Sequence, residues 1–201
     1  KQNKTLFMEI VIILGLIFLN GILSMSEIAM VSARKSRLET AAKKGSKTAK
    51  TALRLANEPD RFFSTIQIGI TLIGILTGLY SGEALAGDLA RWLETIGIPQ
   101  AHSLTLAKGI IVILVTYLTL ILGELVPKHL GMNAPEKIAR LIARPMEVLS
   151  KIASPFVWLL SASTQAVIRL TGLHASTENK VTEEEIKAII QEGTEDGEIQ
   201  E

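Results

Sequence analysis

Residues 109–127 read Gly-Ile-Ile-Val-Ile-Leu-Val-Thr-Tyr-Leu-Thr-Leu-Ile-Leu-Gly-Glu-Leu-Val-Pro. This run is apolar enough and long enough to cross a bilayer as a helix. Near its end lies a carboxylate, Glu124. A carboxylate in such a segment costs roughly 3 kcal/mol on insertion scales, so it usually faces an ion path or a partner. Glu124 is therefore the first candidate functional residue.

Pro127 adds a second feature to the same stretch. Proline has no N–H, so in a regular helix the carbonyl four residues earlier, that of Gly123, loses its donor. A freed backbone oxygen beside a carboxylate offers two ligands of the kind that hard cations prefer. The sequence therefore predicts a cation site at Gly123 and Glu124, with Pro127 as a structural kink.

The composition indicates a membrane protein. The 201 residues include 48% hydrophobic, 4% aromatic and 20% charged residues, and no cysteine. This mixture is typical of apolar segments separated by charged ones, and the lack of cysteine excludes disulfides and thiolate metal sites. The sequence has no phosphate-binding glycine loop, no metalloprotease helix motif and no metal-ligand spacing among its histidines. It therefore favours a protein that is not an enzyme.

Charge and hydropathy predict the topology. Crossings are expected at about residues 6–31, 62–82 and 104–126. Residues 34–61 carry nine Lys or Arg against three acids, and residues 128–151 are basic again. Residues 83–103 hold Glu83, Asp88 and Glu94 against Arg91, so they lack that bias and are expected to form an outside loop. By the positive-inside rule, we expect the basic segments to be cytoplasmic and the N-terminus to be outside. The membrane is expected to be the plasma or inner membrane. Such blocks beside apolar helices favour this role over nucleic-acid binding.

The expected fold class is an all-α integral membrane protein, with three transmembrane helices and juxtamembrane helices at about residues 34–57 and 134–173. We expect the second of these to lie along the inner leaflet in contact with lipid, and a fourth crossing is the alternative. The membrane domain is expected over residues 1–175. The acid-rich residues 176–201 predict the start of a cytoplasmic helical region, cut before a further domain.

Each predicted crossing carries polar residues at spacings of three and four, which places them on one helix face. They are Asn20, Ser24 and Glu27 in the first, Ser64, Gln67 and Thr71 in the second, and Thr116, Thr119, Gly123 and Glu124 in the third. Three such stripes predict a small cavity lined by oxygen atoms, with Asn20, Glu27, Ser64 and Thr71 as secondary candidates along an ion path. The alternatives are hydrogen bonds that only hold helices together and, for Glu27, a surface pair with Arg34.

Three stretches resemble the CorC/CNNM family of magnesium exporters. They are Asn-Gly-Ile-Leu-Ser-Met-Ser-Glu-Ile-Ala at 20–29, Thr-Ile-Gln-Ile-Gly-Ile-Thr at 65–71, and Gly-Glu-Leu-Val-Pro-Lys at 123–128. The resemblance covers almost the whole chain, and the third stretch is the most specific. It implies a homodimer in which each subunit has three transmembrane helices and an inward-facing Mg²⁺ site, with transport coupled to Na⁺ entry.

Carried over by position, the resemblance implies Ser24, Gln67, Gly123 and Glu124 as metal ligands. The family often has asparagine where Gln67 stands, so direct or water-mediated binding by Gln67 stays open. The resemblance also implies a CBS pair that binds ATP beyond the acidic region. The expected function is therefore a magnesium or other divalent-cation transporter. The alternatives are a membrane-anchored dimeric regulator or scaffold for a nucleotide-sensing domain, and a passive cation channel.

Overall fold

The computed structural model describes residues 2–171, with side chains from residue 6 onward. These residues form seven α-helices and one π-helical segment. In chain order they are α1 (Gln2–Ser32), α2 (Lys35–Lys43), α3 (Lys47–Asn57), α4 (Pro59–Thr95), α5 (Gln100–Leu120), the π segment (Ile121–Leu125), α6 (Val126–Asn133) and α7 (Pro135–Leu170). The chain divides into two compact units, Lys1–Trp158 and Leu159–Glu201, and the packing described below lies in the first. The predicted acidic region at residues 176–201 lies outside the described residues.

Three helical stretches are long and apolar enough to cross a membrane: Leu6–Ser32, Pro59–Thr95 and Gln100–Asn133. They contain the three predicted crossings, so the predicted all-α membrane fold is confirmed. The loop expected over residues 83–103 was wrong for most of the segment, whereas the outside placement of these residues stays a prediction. Helix α4 continues to Thr95, and only residues 96–99 connect it to α5.

The length of α4 follows from its composition. The stretch 83–95 contains alanine, leucine and charged residues that form helices well, and it contains no proline. Its charges mark contact with water and not the end of the helix. Since a helix rises about 1.5 Å per residue, α4 reaches roughly 55 Å, beyond the roughly 30 Å of hydrocarbon in a bilayer.

Helices α1 and α4 run antiparallel. Leu23 near the end of α1 shares a core cluster with Phe62 at the start of α4. Ile13, in the first half of α1, packs in a second cluster with Ala86 near the end of α4. The start of α4 therefore lies beside the end of α1.

Helix α6 runs parallel to α1. A Cβ placed on Gly123 would lie 3.2 Å from the carbonyl oxygen of Ile17, and one on Gly131 would lie 2.8 Å from that of Met25. Along this contact, α1 therefore runs in the same direction as the π segment and α6. The ends of α1 and α6 and the start of α4 lie together, so the basic segments 34–61 and 128–151 share one end of the bundle.

The juxtamembrane helices pack at this basic end. Leu38 of α2 joins Ala139 and Ile142 of α7 in one core cluster. The predicted helix over residues 34–57 is two helices, because Gly45 adopts a left-handed backbone conformation at the turn between them, with φ of 90°.

An ion-pair cluster also joins α3 to α7. Arg54 of α3 forms a salt bridge with Glu147 of α7, and Lys151 pairs with the same carboxylate at 3.3 Å. The hydrogen bond from Lys151, together with the charges of Lys151 and Arg54, holds the pKa of Glu147 below its ordinary value. Glu147 is therefore an ionised carboxylate shared by two cations.

Three glycines allow α1 to approach the π segment and α6 closely. We call Gly21, Gly123 and Gly131 the glycine seam. A Cβ on Gly21 would lie 2.9 Å from Cγ of Pro127. As given above, a Cβ on Gly131 or Gly123 would lie 2.8 or 3.2 Å from a backbone oxygen of α1. Side chains at these positions would push the helices apart, as is typical of close helix contacts in membranes.

The glycine face of α4 takes no part in this packing. A Cβ placed on Gly74, Gly78 or Gly82 would meet nothing within 4 Å in the described part of the chain. This face is therefore open for contact with lipid or a second subunit, and its use in a dimer stays a prediction.

The glycine seam predicts opposite outcomes for two alanine substitutions. Gly131→Ala forces a Cβ against backbone atoms of α1, and overpacking of this kind costs about 1–3 kcal/mol. Gly15→Ala lies in α1 with open space around it, so it should keep or slightly raise stability. Thermal unfolding in detergent measures both changes. Equal midpoints for Gly131→Ala and the unsubstituted protein would show that the seam is not tightly packed.

The helix directions predict which positions share a side of the membrane. The chain has no cysteine, so single cysteines at Lys44, Lys137 and Gln100 report independently. In sealed cells, a membrane-impermeant maleimide should give the same result for Lys44→Cys and Lys137→Cys, with both modified or both unmodified. Gln100→Cys should give the other result. Labelling of positions 44 and 100 from the same side would contradict the arrangement.

Candidate functional site

The third span widens where the predicted site residues lie. Residues Ile121–Leu125 form the π segment, and the backbone N–H of Val126 donates to the carbonyl of Ile121, five residues earlier. Pro127 follows in the first turn of α6. Because proline lacks an N–H and its ring crowds the preceding turn, a widened turn is a natural way to accommodate it. π-Helical turns of this kind are frequent at functional sites.

Asn20 binds the carbonyl that the proline was expected to leave free. Its amide Nδ2 donates to the carbonyl oxygen of Gly123 at 3.0 Å, and this hydrogen bond is buried. The expectation of an unpaired Gly123 carbonyl was therefore wrong, since a donor on α1 reaches it. A carbonyl oxygen has two lone pairs, so it can still accept a second partner.

Two buried side-chain oxygens on α1 have no hydrogen-bond partner in the described residues. They are Oδ1 of Asn20 and Oγ of Ser24, one helical turn apart. Unpaired buried polar atoms are rare in native proteins, and each costs about 1–3 kcal/mol. The oxygen of Asn20 belongs to the amide group that binds Gly123. Asn20 therefore presents an unused acceptor where α1 contacts the π segment, and Ser24 presents another one helical turn further along α1.

A lysine connects a carboxylate of the third span to a carboxylate of α1. Nζ of Lys128 lies 2.7 Å from Oε1 of Glu124 and 3.9 Å from Oε2 of Glu27. The three side chains are about one-third exposed, at 28–37%. We call these residues the carboxylate–lysine triad, and its formal charge is −1. The structure joins Glu27 to Lys128, and not to Arg34 as the alternative expectation had it.

Lys128 is the residue of this site that the sequence reasoning missed. In the sequence it stands out only as the last residue of the 123–128 stretch and as the start of the basic cytoplasmic segment. Its spacing of four residues from Glu124 could have identified the pair, because residues i and i+4 are neighbours on a helix.

The predicted residues of α4 do not join the other candidates through hydrogen bonds. Gln67 is exposed, and its amide Nε2 lies 3.4 Å from Oγ1 of Thr71 on the same helix. Ser64 lies half-buried one turn earlier. Among the described residues no hydrogen bond connects Gln67 to Ser24 or Glu124. Metal binding by Gln67 therefore stays a prediction.

The structure thus places the candidates in two groups. One lies where α1 meets the π segment and α6, and it comprises Asn20, Ser24, Glu27, Gly123 and Glu124, with Lys128 added. The other lies on α4 and comprises Ser64, Gln67 and Thr71. Within residues 2–171 there is no cluster of three or more His, Cys, Asp or Glu that could hold a metal ion. A cation at the first group would meet amide, hydroxyl and carbonyl oxygens beside one or two carboxylates.

These features define a class: a multi-pass α-helical membrane protein with a polar site next to a widened turn in its third span. Residues 11–201 match the family described as the cyclin M transmembrane N-terminal domain, or CNNM. The chain belongs to this family. The family resemblance predicted from the three sequence stretches is thereby confirmed.

Several curated proteins are similar to this chain. It is 46% identical to the UPF0053 protein sll0260 of Synechocystis sp., over 99% of this chain and 44% of that protein. It is 31% identical to the UPF0053 protein YhdT of Bacillus subtilis, over 95% of this chain and 42% of that protein. It is 29% identical to the polyamine export protein of Escherichia coli strain K12, over 92% of this chain and 41% of that protein. The chain therefore spans less than half the length of each of these relatives.

Alanine substitutions of Asn20 and Ser24, one helical turn apart on α1, should have different effects on stability. Asn20→Ala removes the donor to the buried Gly123 carbonyl and should destabilise the protein by about 1–3 kcal/mol. Ser24→Ala removes a hydroxyl that lacks a partner, so without added cation it should leave the thermal midpoint unchanged or raise it. Both are measured by thermal unfolding in detergent with a chelator present. If Ser24→Ala proved as destabilising as Asn20→Ala, the hydroxyl would have a partner within the protein.

Proposed function

We propose that this chain forms the membrane domain of a cation exporter whose cargo is Mg²⁺. Membership of the CNNM family and the export function in the name of the Escherichia coli relative support transport across a membrane. We propose a cation as the cargo because two buried acceptors, Oδ1 of Asn20 and Oγ of Ser24, lack a hydrogen-bond partner in the described residues. Oxygen acceptors without donors are satisfied by a cation or by a water that a cation orients.

The proposed ligands are the Ser24 hydroxyl, the Gly123 carbonyl and the Glu124 carboxylate. Mg²⁺ prefers about six oxygens near 2.1 Å and gives up its waters reluctantly, so waters complete the shell in this proposal. Gln67 would join directly or through one of these waters after its side chain turns away from Thr71. A single carboxylate among neutral oxygens favours a cation that is held and then released, as transport requires.

Lys128 acts as an internal counter-cation in this proposal. Its ammonium neutralises Glu124 when no cargo is bound, which lowers the cost of holding a carboxylate in a membrane-spanning segment. An arriving cation must displace it. Glu27, at 3.9 Å from the same ammonium, is the second carboxylate available to receive it. Cargo binding and lysine binding at Glu124 therefore exclude each other.

A polyamine is the second candidate cargo. One relative is named a polyamine export protein. In this chain the carboxylate–lysine triad already holds a primary alkylammonium between two carboxylates, with Nζ of Lys128 at 2.7 Å from Glu124. The end of a polyamine has the same chemistry as that ammonium. Competition between Mg²⁺ and a polyamine in a transport measurement distinguishes the two cargoes.

The basic end of the bundle faces the cytoplasm in this proposal, since Lys and Arg favour that side. The chain functions as a homodimer, for which the open glycine face of α4 at Gly74, Gly78 and Gly82 is a suitable contact. Export is coupled to Na⁺ entry, as the family resemblance implies.

Calorimetric titration with Mg²⁺ tests the site. Glu124→Gln keeps the shape but removes the charge, so Mg²⁺ binding should be lost. Lys128→Gln removes the competing cation, so Mg²⁺ affinity should rise. Glu83→Gln, at an exposed carboxylate on α4, is the matched control and should bind like the unsubstituted protein. Native affinity in Glu124→Gln would refute the site.

Flux from proteoliposomes tests the function. Mg²⁺ efflux should occur in the unsubstituted protein, accelerate with an inward Na⁺ gradient and disappear in Glu124→Gln. Flux that ignores the Na⁺ gradient and follows only the Mg²⁺ gradient would indicate a passive channel. Spermidine efflux that competes with or replaces Mg²⁺ efflux would favour the polyamine cargo.

A further inference from the structure

Helix α7 presents three distinct faces between Pro135 and Trp158. One is packed against the rest of the first unit and consists of Ala139, Ile142, Ala143, Met146, Ser150, Ala153 and Val157. Successive members of this set lie one, three or four residues apart, which places them on one side of the helix. The remaining two faces are available to partners outside the chain.

The second face is apolar and exposed. Leu141, Val148 and Ile152 recur at spacings of seven and four, and they are 74%, 58% and 67% exposed. Helix α7 begins directly after the third candidate span ends at Asn133. Its first turns therefore lie at the membrane boundary. An apolar face at that level is suited to the acyl region of a lipid leaflet.

The third face is basic and borders the apolar one. Lys137 and Arg144 each precede an apolar residue of the second face by four positions, so each charge lies beside an exposed hydrophobic side chain. Arg140 lies between them in sequence and on the same side of the helix. Within residues 2–171 no carboxylate lies at salt-bridge distance from these three cations. By contrast, Arg54 and Lys151 share the Glu147 carboxylate.

A pocket of about 320 Å³ lies at the start of this row, between α2 and α7. Arg37 of α2 and Lys137 and Arg140 of α7 line it. Glu136 is the one acid in its wall, and it pairs with Arg37 at 3.7 Å. Three cations against one carboxylate leave the pocket with a formal charge of +2, so its electrostatics favour an anion.

We propose that this pocket and the row Lys137, Arg140 and Arg144 bind the headgroup phosphate of an anionic phospholipid, whose acyl chains lie along Leu141 and Val148. The cations and the apolar side chains lie side by side on one helix, as a molecule with a charged head and two hydrocarbon chains requires. Basic side chains at the edge of an apolar face extend their charges to phosphates at the interface. The proposal concerns lipid recognition at the basic end and is independent of which cargo is transported.

Binding of a fluorescent phosphatidylglycerol to the detergent-solubilised protein tests this proposal. The test variant combines Lys137→Gln, Arg140→Gln and Arg144→Gln. The matched control combines Lys43→Gln, Lys44→Gln and Lys47→Gln, which removes the same charge from exposed positions at the end of α2, in the turn after it and at the start of α3. Since each cation near an anionic lipid contributes roughly a fivefold factor, loss of all three should weaken binding by the test variant about 100-fold. The control should bind within about twofold of the unsubstituted protein, because its lysines lie outside the pocket and the row.

Three outcomes would overturn the proposal. Equal weakening in both variants would mean that net charge alone attracts the lipid. Equal binding of phosphatidylcholine would mean that the apolar face binds lipid without reading the headgroup charge. Displacement of the probe by millimolar glycerol phosphate would make the ligand a soluble anion. Should the triple variant not fold, Arg144→Gln alone, at an exposed position, should still weaken binding about fivefold.

Discussion

The close contact between α1 and the π segment is the constraint on which the rest of this structure depends. A Cβ at Gly123 would lie 3.2 Å from the carbonyl of Ile17, so the two backbones touch without intervening side chains. A buried hydrogen bond of 3.0 Å from Asn20 to the Gly123 carbonyl fixes the register of the two segments. Because α6 continues from this contact parallel to α1, the contact also brings Lys128 beside Glu27. It further sets where α2 and α7 leave the bundle and pack together at its basic end.

The same contact explains why the site carries unfavourable features. A widened helical turn, two unpaired buried oxygens and a half-buried carboxylate all reduce stability in isolation. The tight glycine packing around them supplies compensating contacts, and Lys128 neutralises the charge of Glu124. Proteins commonly keep such costly groups where they act, because the binding partner satisfies them. In the proposed function, the cargo cation replaces Lys128 at Glu124, binds the Ser24 oxygen and orients a water toward the Asn20 oxygen.

Much of the fold could be predicted from the sequence, because long apolar runs between basic segments specify membrane spans. The full length of α4 could not, since Glu83 and Asp88 favour a loop when only their charge is considered, although helices tolerate charge in water. The glycines that pack the bundle could not be identified from the sequence either. The spacing of Gly74 and Gly78 shows that a helix can be approached closely but not which partner approaches it. The bond between Asn20 and Gly123 joins residues 103 positions apart, so local pattern could not reveal it. Glu124 lies within the third candidate span, as the sequence predicted, but its bond to Lys128 required the structure.

The most direct test of the account is the position of a bound cation. Mn²⁺ is a hard cation that takes oxygen ligands as Mg²⁺ does, and its anomalous scattering locates it in crystals of the protein. The account predicts one Mn²⁺ per chain between α1 and the π segment, at about 2.1–2.6 Å from the Gly123 carbonyl and a Glu124 carboxylate oxygen. It also predicts that Nζ of Lys128 has moved away from Glu124. An Mn²⁺ peak elsewhere in the chain, with Lys128 still bound to Glu124, would contradict the account.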